Sequence, residues 1–571
     1  MAAQHIPADC EIGTTNVLLA LVALGAIAAA VEPAAATIER LSIWGWTAIL
    51  AAVLALPFVA QWVRKQSLEP FTPITYPVLT YLAPAFIVGS VVLGSGLARQ
   101  PMHPGLIPEP EARYFCAALA YLALGWLALT AGFWAAPGAV LGGRVGRLLP
   151  RVDWRPNELR WPAACLVIAG ACFNWVALRE GLLGFQMKET VGSFDALTVF
   201  VTFLLHLGEF LLWYSLFRKE KWTTGERLLA VALLLLSPFH LIVSGSRATL
   251  VNHLLVLAFG FRLAGRRVLF RSLVLFGIVA VLEIGLGMLW GTTYREIKGS
   301  EAPIASPAEP PAMPPVAPPA ASETSAVPPL SGTTAARSEA TAAPPAPVSS
   351  QFSSSEFGRL VSGTFHTVLG RGLGESALYA LQTTAKRVEI TSCLAVVVGN
   401  YRRLKAEEES AGIAGNIWRS TWTAPIPRVV WPGKPHVAIA RTYSQVYFHY
   451  GGVSYPITPV GDLLRNFGAL GIPLGMALLG LALRVLFAAL VEGRPPDPAA
   501  AGFYTLILMN VSYEGFYATI LPHVARVGVV TIAGLVFVHA GIILLRRFRA
   551  GFDRPAVGQQ DEPHAGRRAV R

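Results

Sequence analysis

The sequence predicts an all-α polytopic membrane protein with about twelve transmembrane helices and one large outer (periplasmic) loop that forms a helical cap. Of the 571 residues, 54% are hydrophobic and only 14% are charged, and the mean hydropathy of +0.52 exceeds that of soluble globular chains. Many apolar runs have the length of about 20 residues that a helix needs to cross a bilayer. The 14 Trp and 15 Tyr suit the aromatic belts at the membrane interfaces.

The charge and cysteine content narrow the class of protein further. The net charge is +12, but the arginines flank apolar runs, so the pattern favours a membrane protein over a nucleic-acid-binding one. The five cysteines include no CxxC pair, which predicts neither a disulfide framework nor a thiolate metal site. No basic segment precedes the first apolar run, so we expect no cleaved signal peptide.

Apolar runs place the spans and divide the chain. The predicted spans are 13–31, 41–63, 76–98, 113–136, 160–178, 194–217, 228–245, 248–264, 269–291, 467–490, 501–521 and 525–545. The resulting regions are transmembrane helices 1–9 in 1–291, the outer loop in 292–466, transmembrane helices 10–12 in 467–545 and a tail in 546–571.

Basic residues in the short loops predict the orientation, because Lys and Arg accumulate on the cytoplasmic side. Every strongly basic loop follows an even-numbered span, from Arg64–Lys65 after the second to Arg546–Arg547 after the twelfth. Both termini are therefore predicted to be cytoplasmic, and the loop 292–466 lies outside.

The outer loop has two parts of different composition. Residues 301–350 contain 13 prolines among many Ala, Ser and Thr, which predicts a disordered linker that buries too little apolar surface to fold. Residues 355–466 carry aromatic and apolar residues in short amphipathic patterns, which predict the helical cap on the outer membrane surface.

An arginine lies between two apolar runs in "SGSRATL", residues 244–250. The span map puts Arg247 in an outer turn at the start of the eighth helix, beside the small residues Ser244, Gly245 and Ser246. A guanidinium next to a helix N-terminus suits an anion, above all a phosphate. The alternative is an interfacial arginine that extends to the lipid headgroups.

Three further arginines occur at the same predicted depth: Arg295 in "TTYREI", Arg465 in "GDLLRNFG" and Arg526 in "LPHVARVG". Each alone is compatible with a solvated or lipid-headgroup contact. Together with Arg247 they predict a cationic pocket for a diphosphate at the outer face.

Ionisable residues also occur inside the predicted spans, where charge is unfavourable and therefore points to function. His206 and Glu209 lie in the sixth span, His253 in the eighth and Glu514 in the eleventh, below Arg526. The His206–Glu209 pair has i, i+3 spacing, so a purely structural polar contact is an equal alternative.

Four motifs in order resemble those of the oligosaccharide repeat-unit polymerases of bacterial surface polysaccharides, the O-antigen polymerase type within the wider O-antigen ligase group. They are "SGSRATL", "TTYREI", "IPRVVWPGKP" in the outer loop and "GDLLRNFGALGIPLG", within residues 225–545. The linker 301–350 departs from the family pattern. No counterpart of the ligase-type histidine cluster occurs in the outer loop, which favours polymerase over ligase.

The resemblance implies a membrane glycosyltransferase-like bundle that polymerises lipid-linked repeat units for O-antigen or exopolysaccharide at the outer face of the bacterial cytoplasmic (inner) membrane. The donor would be a glycan on undecaprenyl diphosphate and the acceptor the end of another repeat unit. Neither a metal nor another cofactor is implied. The other expected partners are membrane lipid, a chain-length regulator and a flippase, without nucleic acid.

The resemblance also gives the candidate residues their roles. Arg247, Arg295, Arg465 and Arg526 would bind the diphosphate, with Arg247 and Arg295 stabilising the charge that develops on the leaving group. Asp462 and Glu514 are the candidate bases for the acceptor hydroxyl. The predicted glycan-binding residues are Arg428, Trp431, Lys434, His436, Tyr443 and Tyr447. The alternatives are that the proline-rich segment 425–436 is only a stiff stretch across the cap surface and that the aromatic residues pack onto lipid.

Two other functions fit the same sequence. A transporter or flippase agrees with about twelve spans, but the halves show no internal repeat and the arginines gather at one interface. An O-antigen ligase-type transferase would use the same cationic pocket.

Overall fold

The structure is a computed structural model, and it describes residues 12–65, 69–95, 110–179, 203–244, 247–266, 274–279, 285, 287, 290, 291, 293, 354–372, 374, 375, 389–423, 431, 439–449, 455–492 and 497–552. These residues are mostly helical, and their only β contact is an isolated bridge between Ile12 and Ala135. The all-α class that the sequence predicts is thereby confirmed. The linker 301–350 lies outside the described residues.

Among the described residues, ten α-helices precede the linker: α1 (Thr14–Val31), α2 (Ala35–Ile38), α3 (Ser42–Lys65), α4 (Gly89–Gly94), α5 (Ala112–Phe133), α6 (Ala136–Leu148), α7 (Pro156–Arg179), α8 (Phe203–Phe217), α9 (Thr224–Ser244) and α10 (Arg247–Leu263). A 3₁₀ turn, Glu39–Leu41, leads into α3, and a π-helical segment, Val78–Val88, leads into α4.

Nine α-helices follow the linker in the described part of the chain: α11 (Ser354–Arg371), α12 (Thr391–Asn400), α13 (Lys405–Ser410), α14 (Asn416–Thr423), α15 (Ile439–Phe448), α16 (Thr458–Phe467), α17 (Gly471–Leu490), α18 (Pro498–Met509) and α19 (Tyr517–Phe552). The predicted helical segments of the cap are therefore present as α11 to α16.

Seven helices among the described residues are long and apolar enough to cross a membrane, so the chain is a multi-pass α-helical membrane protein. These spans are Thr14–Val31, Glu39–Val63, Ala112–Phe133, Pro156–Ala177, Thr224–Leu241, Gly471–Leu490 and Tyr517–Arg549. Four shorter apolar helices coincide with other predicted spans, namely Val78–Gly94, Phe203–Phe217, Leu250–Leu263 and Pro498–Met509. The count of twelve stays a prediction.

Helices α5 and α17 form the centre of the bundle, and glycines allow their close approach. A Cβ atom on Gly132 would lie 2.1 Å from the carbonyl oxygen of Ala477, and one on Gly480 would lie 2.0 Å from that of Leu129. Backbones this close require residues without side chains, the usual device of helix interfaces in membranes. The outer helices instead expose large apolar side chains such as Leu19 and Trp62, as lipid contact requires.

The break between the last two helices differs from its predicted position at about 522–524. Helix α18 ends at Met509 and α19 begins at Tyr517, so Arg526 lies within α19 and Glu514 lies in the connecting loop. The Ser512 hydroxyl accepts hydrogen bonds from the backbone N–H groups of Glu514 (3.3 Å) and Gly515 (3.0 Å). These local bonds replace the helical ones and end the helix early.

Ion pairs join distant helices at one end of the bundle. Arg262 Nε on α10 lies 3.1 Å from Glu69 Oε1, and Arg546 Nη2 on α19 lies 2.7 Å from Glu158 Oε2 on α7. Each pair joins two segments that the predicted alternation of spans places on the same side.

Contacts at the opposite end of the bundle also join segments that the predicted spans place on one side of the membrane. Arg402, between α12 and α13, lies 2.7 Å from Glu32 at the end of α1. The hydroxyls of Ser90 on α4 and Thr391 on α12 are 3.1 Å apart. The described segments within 389–467 therefore pack on this end of the bundle, which is called the cap end below.

Candidate functional site

The cap helix α16 carries two of the predicted site residues, Asp462 and Arg465. Its first residue, Thr458, has φ = +67°, a conformation that non-glycine residues rarely adopt. The backbone N–H groups of Ile457 and Thr458 both donate to the Glu514 carbonyl oxygen, at 3.2 and 3.1 Å. Glycine at 468, with φ = +70°, ends the helix. Backbone contacts to the loop 510–516 thus fix the start of α16 on the bundle.

The Arg465 side chain is enclosed between two carboxylates. Its Nε donates to Asp462 Oδ1 at 2.9 Å, and its Nη1 donates to Glu408 Oε1 on α13 at 2.9 Å. The guanidinium also lies over the Phe516 ring, with its central carbon 5.6 Å from the centroid. The Arg465 and Asp462 side chains are 0% exposed, so this pair belongs to the protein interior.

Asp462 uses both carboxylate oxygens. Besides Arg465, Oδ1 accepts from the side-chain amides of Asn416 (3.3 Å) and Asn466 (3.1 Å). Oδ2 accepts from the backbone N–H of Ala518 in the first turn of α19 at 3.0 Å. A negative charge beside a helix N-terminus is stabilising, so Asp462 attaches the cap to α19.

The electrostatics of this cluster follow from burial and pairing. Burial alone lowers the pKa of Arg465, but the Asp462 and Glu408 carboxylates outweigh it and raise that pKa above the usual value. Burial, together with the adjacent Glu408 carboxylate, raises the pKa of Tyr447, whose hydroxyl donates to Glu408 Oε1 at 2.8 Å. Arg465 therefore keeps its charge between the two carboxylates, a cluster called the ion triad below, and the Tyr447 phenol stays neutral.

The two predicted bases have different surroundings. Asp462 has no exposed surface and is saturated by four donors, so no acceptor hydroxyl reaches it in this conformation. Glu514 is exposed in the loop 510–516 at the cap end. Glu514 is thus the better placed of the two for proton transfer.

Of the four predicted diphosphate ligands, the structure describes the side chains of two. Arg465 is buried in the ion triad, and Arg526 is exposed on α19. Arg247 is the first residue of α10, as the sequence predicts, although its side chain lies outside the described residues. Arg295 lies wholly outside them. The convergence of all four stays a prediction.

The predicted glycan-binding residues also separate into groups. Tyr443 and Tyr447 are 0% exposed and pack against each other with ring centroids 4.9 Å apart, so neither ring face is open to a sugar in this structure. Trp431 is 39% exposed. Arg428, Lys434 and His436 lie outside the described residues.

An exposed indole pair lies on α14. Trp418 and Trp422 are one helical turn apart, 59% and 72% exposed, and stack with ring centroids 6.3 Å apart. Their size, parallel planes and position at the cap end suit either a sugar ring or the lipid interface.

A small apolar cavity lies where the cap meets the bundle. The start of α16 contributes Thr458, Pro459 and Val460 to its wall, and the bundle contributes Leu50, Leu54, Leu82, Phe86, Leu122, Trp126, Met476 and Tyr513. Neither the Trp126 indole nitrogen nor the Tyr513 hydroxyl has a hydrogen-bond partner among the described residues. Polar donors beside an apolar wall suit a ligand that has both apolar and oxygen-rich parts.

A second polar cluster is buried inside the bundle. Glu209 Oε2 on α8 lies 2.6 Å from His253 Nδ1 on α10 and 3.6 Å from His206 Nδ1. One donor atom from each of these three residues falls within 4.8 Å of the others, a spacing that fits a metal ion. The expected His206–Glu209 pair is thus part of a larger cluster.

Sequence reasoning did not identify two members of this cluster. His240 on α9 lies 3.0 Å from His253 Nε2 through its Nδ1 and 3.1 Å from the Asn174 side-chain oxygen on α7 through its Nε2. His240 and His253 lie on consecutive helices that are only two residues apart in the sequence. Two histidines at similar distances from such a short connection lie at the same depth of two neighbouring helices. The spacing of His240 and His253 therefore indicates their contact from the sequence alone.

Comparison with known proteins identifies no relative: no protein-family model, no curated protein and no solved structure matches this chain.

Proposed function

We propose that this chain is a membrane glycosyltransferase that polymerises lipid-linked oligosaccharide repeat units at the outer face of the bacterial cytoplasmic membrane. The glycan would pass from undecaprenyl diphosphate to the end of another repeat unit. The bond between the sugar and the diphosphate breaks, the acceptor oxygen takes the sugar, and a base takes the hydroxyl proton.

The apolar cavity at the cap end is the observation that carries this proposal. A lipid-linked glycan needs an apolar site for its polyprenyl chain directly beside a polar region for its diphosphate and sugars. The bundle residues that line the cavity are mainly apolar, among them Leu50 and Met476. The cap contributes the first turn of α16, the helix that contains Asp462 and Arg465. The Trp126 and Tyr513 donors, which have no hydrogen-bond partner in the described part of the chain, add polar contacts for an oxygen-rich group.

The cap supplies the other parts that the proposed reaction requires. Exposed Glu514 is the proposed base, and Trp418 and Trp422 are the proposed sugar platform, in place of the enclosed Asp462, Tyr443 and Tyr447. Arg247, Arg295 and Arg526 remain the proposed diphosphate ligands, while Arg465 holds the cap closed over the cavity.

The orientation belongs to the proposal as well. Both termini are assigned to the cytoplasm from the basic loops. The ion pairs Glu69–Arg262 and Glu158–Arg546 support the relative sidedness of the loops on which that assignment depends.

One observation favours a transporter or flippase instead. His206, Glu209 and His253 form a buried ionisable cluster within the bundle, a feature of transport proteins. A ligase-type transferase is a third candidate that shares the proposed pocket.

A deletion strain distinguishes the three functions through its surface polysaccharide on a gel. A polymerase predicts a ladder that collapses to a single repeat unit. A ligase predicts free polymer without its anchor, and a flippase predicts loss of all intermediates at the outer face. Either of the last two results would overturn the polymerase proposal.

Complementation with variants then tests the site. Arg247→Ala is expected to abolish polymer while protein level and single repeat units are retained, and Arg403→Ala, an exposed cap arginine, serves as the control. Leu82→Trp fills the cavity and is expected to shorten or abolish polymer. Leu79→Trp adds the same bulk at a position that is 52% exposed, and full activity is expected.

A further inference from the structure

The hydrogen bonds of the membrane-embedded cluster have a fixed direction. The Asn174 amide nitrogen donates to the Gly170 carbonyl at 2.9 Å, which leaves the amide oxygen as the acceptor for His240 Nε2. A neutral His240 then accepts at Nδ1 from His253 Nε2, 3.0 Å away. A neutral imidazole donates from one nitrogen only, so His253 presents a lone pair at Nδ1.

That lone pair faces a carboxylate. His253 Nδ1 and Glu209 Oε2 are 2.6 Å apart, and both are acceptors when the imidazole is neutral and the carboxylate is ionised. Two acceptors at this distance repel each other unless a cation lies between them. A proton shared by the two groups meets this need, and so does a metal ion.

The third donor distinguishes the two cations. His206 Nδ1 lies 3.6 Å from the same Glu209 oxygen, is buried and has no hydrogen-bond partner among the described residues. A shared proton joins two acceptors and leaves His206 unpaired, at the energetic cost of a buried polar atom without a partner. A metal ion accepts all three donor atoms.

We propose that His206, Glu209 and His253 bind one divalent transition-metal ion of the Zn²⁺ class inside the helix bundle. Two imidazoles and one carboxylate form a known zinc ligand set, and imidazole nitrogen selects against Mg²⁺ and Ca²⁺. Ligand bonds of about 2.0–2.1 Å would widen the 2.6 Å contact between His253 and Glu209 by less than about 1 Å.

The surroundings supply an outer shell of hydrogen bonds. His240 accepts the Nε2–H of His253 and is itself oriented by Asn174, the arrangement that usually fixes a ligating histidine. The Trp213 indole nitrogen donates to the other Glu209 oxygen at 3.4 Å. His253 Nε2 and Glu209 Oε1, the two ligand atoms that would not bind the metal ion, therefore both have hydrogen-bond partners.

The fold also provides an approach to the site and a reason for its rigidity. A recess bordered by Ser237 and apolar side chains of α9 and α10 reaches Glu209 and His253. Gly170 and Gly208 allow α7 and α8 to touch, because a Cβ on either would lie within 2.6 Å of a backbone atom of the other helix. The ion would join α8 to α10, and His240 and Asn174 would link α9 and α7 to it.

Metal content of the full-length protein tests this proposal. The chain is purified in detergent without a polyhistidine tag, depleted with a chelator, and titrated with Zn²⁺ and with Co²⁺, whose visible absorption reports nitrogen and oxygen ligation. Equimolar binding is expected for the wild type. Loss is expected for Glu209→Gln, a near-isosteric change, and for His253→Ala, whereas His240→Ala should weaken binding about 10–100-fold.

His366→Ala removes an exposed histidine on α11 and should bind Zn²⁺ like the wild type. Size-exclusion chromatography of each variant verifies that it is folded. A folded wild-type protein that binds neither Zn²⁺ nor Co²⁺ would overturn the proposal and leave a shared proton as the cation. Equal binding by the wild type and folded Glu209→Gln would overturn it too. Neither result depends on the polymerase activity.

Discussion

Arg465 and Glu408 form a buried ion pair, with Nη1 and Oε1 2.9 Å apart, across 57 positions of the sequence. The same guanidinium binds Asp462, which in turn accepts from the first turn of α19. One arginine therefore joins the cap helix α13, the cap helix α16 and, through Asp462, the membrane helix α19. The cap is attached to the bundle by charge pairs that water does not reach.

Arg465→Met is expected to destabilise the protein strongly, because it leaves Asp462 and Glu408 buried without a counter-ion. Breaking a buried pair by removing one partner costs about 3–5 kcal/mol. Unfolding of the purified protein in detergent measures the difference. Arg402→Ala is the matched control: its partner is Glu32, its side chain is 72% exposed, and a surface pair contributes about 0–1 kcal/mol.

The double variant Arg465→Met, Glu408→Gln should recover part of the lost stability, since it removes one of the two unpaired charges. If Arg465 instead acts mainly on a substrate, Arg465→Met would unfold like the wild type and lose only polymer. That result would contradict the structural role assigned here.

A pH dependence is expected from Glu389, just before α12. Burial raises the pKa of this carboxyl above its ordinary value of 4.5, although it accepts a hydrogen bond from the backbone N–H of Ser392 at 2.9 Å. The folded state thus holds the proton more tightly than the unfolded state. Its stabilising contribution is complete below pH about 4.5 and is lost as the pH rises through the raised pKa.

Glu389→Gln keeps a neutral side chain at every pH. We expect the variant to be more stable than the wild type at pH 8, with a difference that shrinks as the pH falls towards 4.5. Melting temperatures of both proteins across this range provide the measurement. A constant difference between the two proteins would contradict this expectation, because it would show that folding does not change the pKa of Glu389.

The sequence predicts the apolar helices well, because length and hydropathy determine where a helix can cross a bilayer. It places the last break about half a span too late in the chain, at Pro522, because an apolar run hides the local hydroxyl bonds of Ser512. A proline near the start of α19 is tolerated within a membrane helix.

The candidate site is less predictable, because it depends on contacts between distant segments. Periodicity cannot show that Arg465 faces Glu408 or that Tyr447 is enclosed. Nor can it show that Glu209 contacts His253 on another helix. In each case the residue type indicates a polar or aromatic role. The role itself depends on a partner residue from another helix, which the sequence pattern does not identify.

Close helix packing gives a further prediction. In Gly480→Ala the new Cβ would lie 2.0 Å from the Leu129 carbonyl oxygen, a backbone atom that moves only if α5 and α17 separate. Overpacking of this kind costs about 1–3 kcal/mol. The control is Gly143→Ala on α6, where no atom lies within 4 Å and alanine favours the helix by about 0.5–1 kcal/mol. Thermal unfolding in detergent should therefore move in opposite directions for the two variants.

Deletion of residues 301–350 is expected to leave expression and polymer formation largely unchanged. The segment contains 13 prolines and few large apolar residues, so its composition predicts no packed structure to lose. Shortening the connection between residues 293 and 354 from 60 residues to 10 should lower its closure cost by about 1–2 kcal/mol. Immunoblots and the polysaccharide gel measure the outcome. A length-matched Gly/Ser replacement separates two causes of failure: if it restores polymer, only the length matters, whereas loss with both variants would contradict the linker assignment.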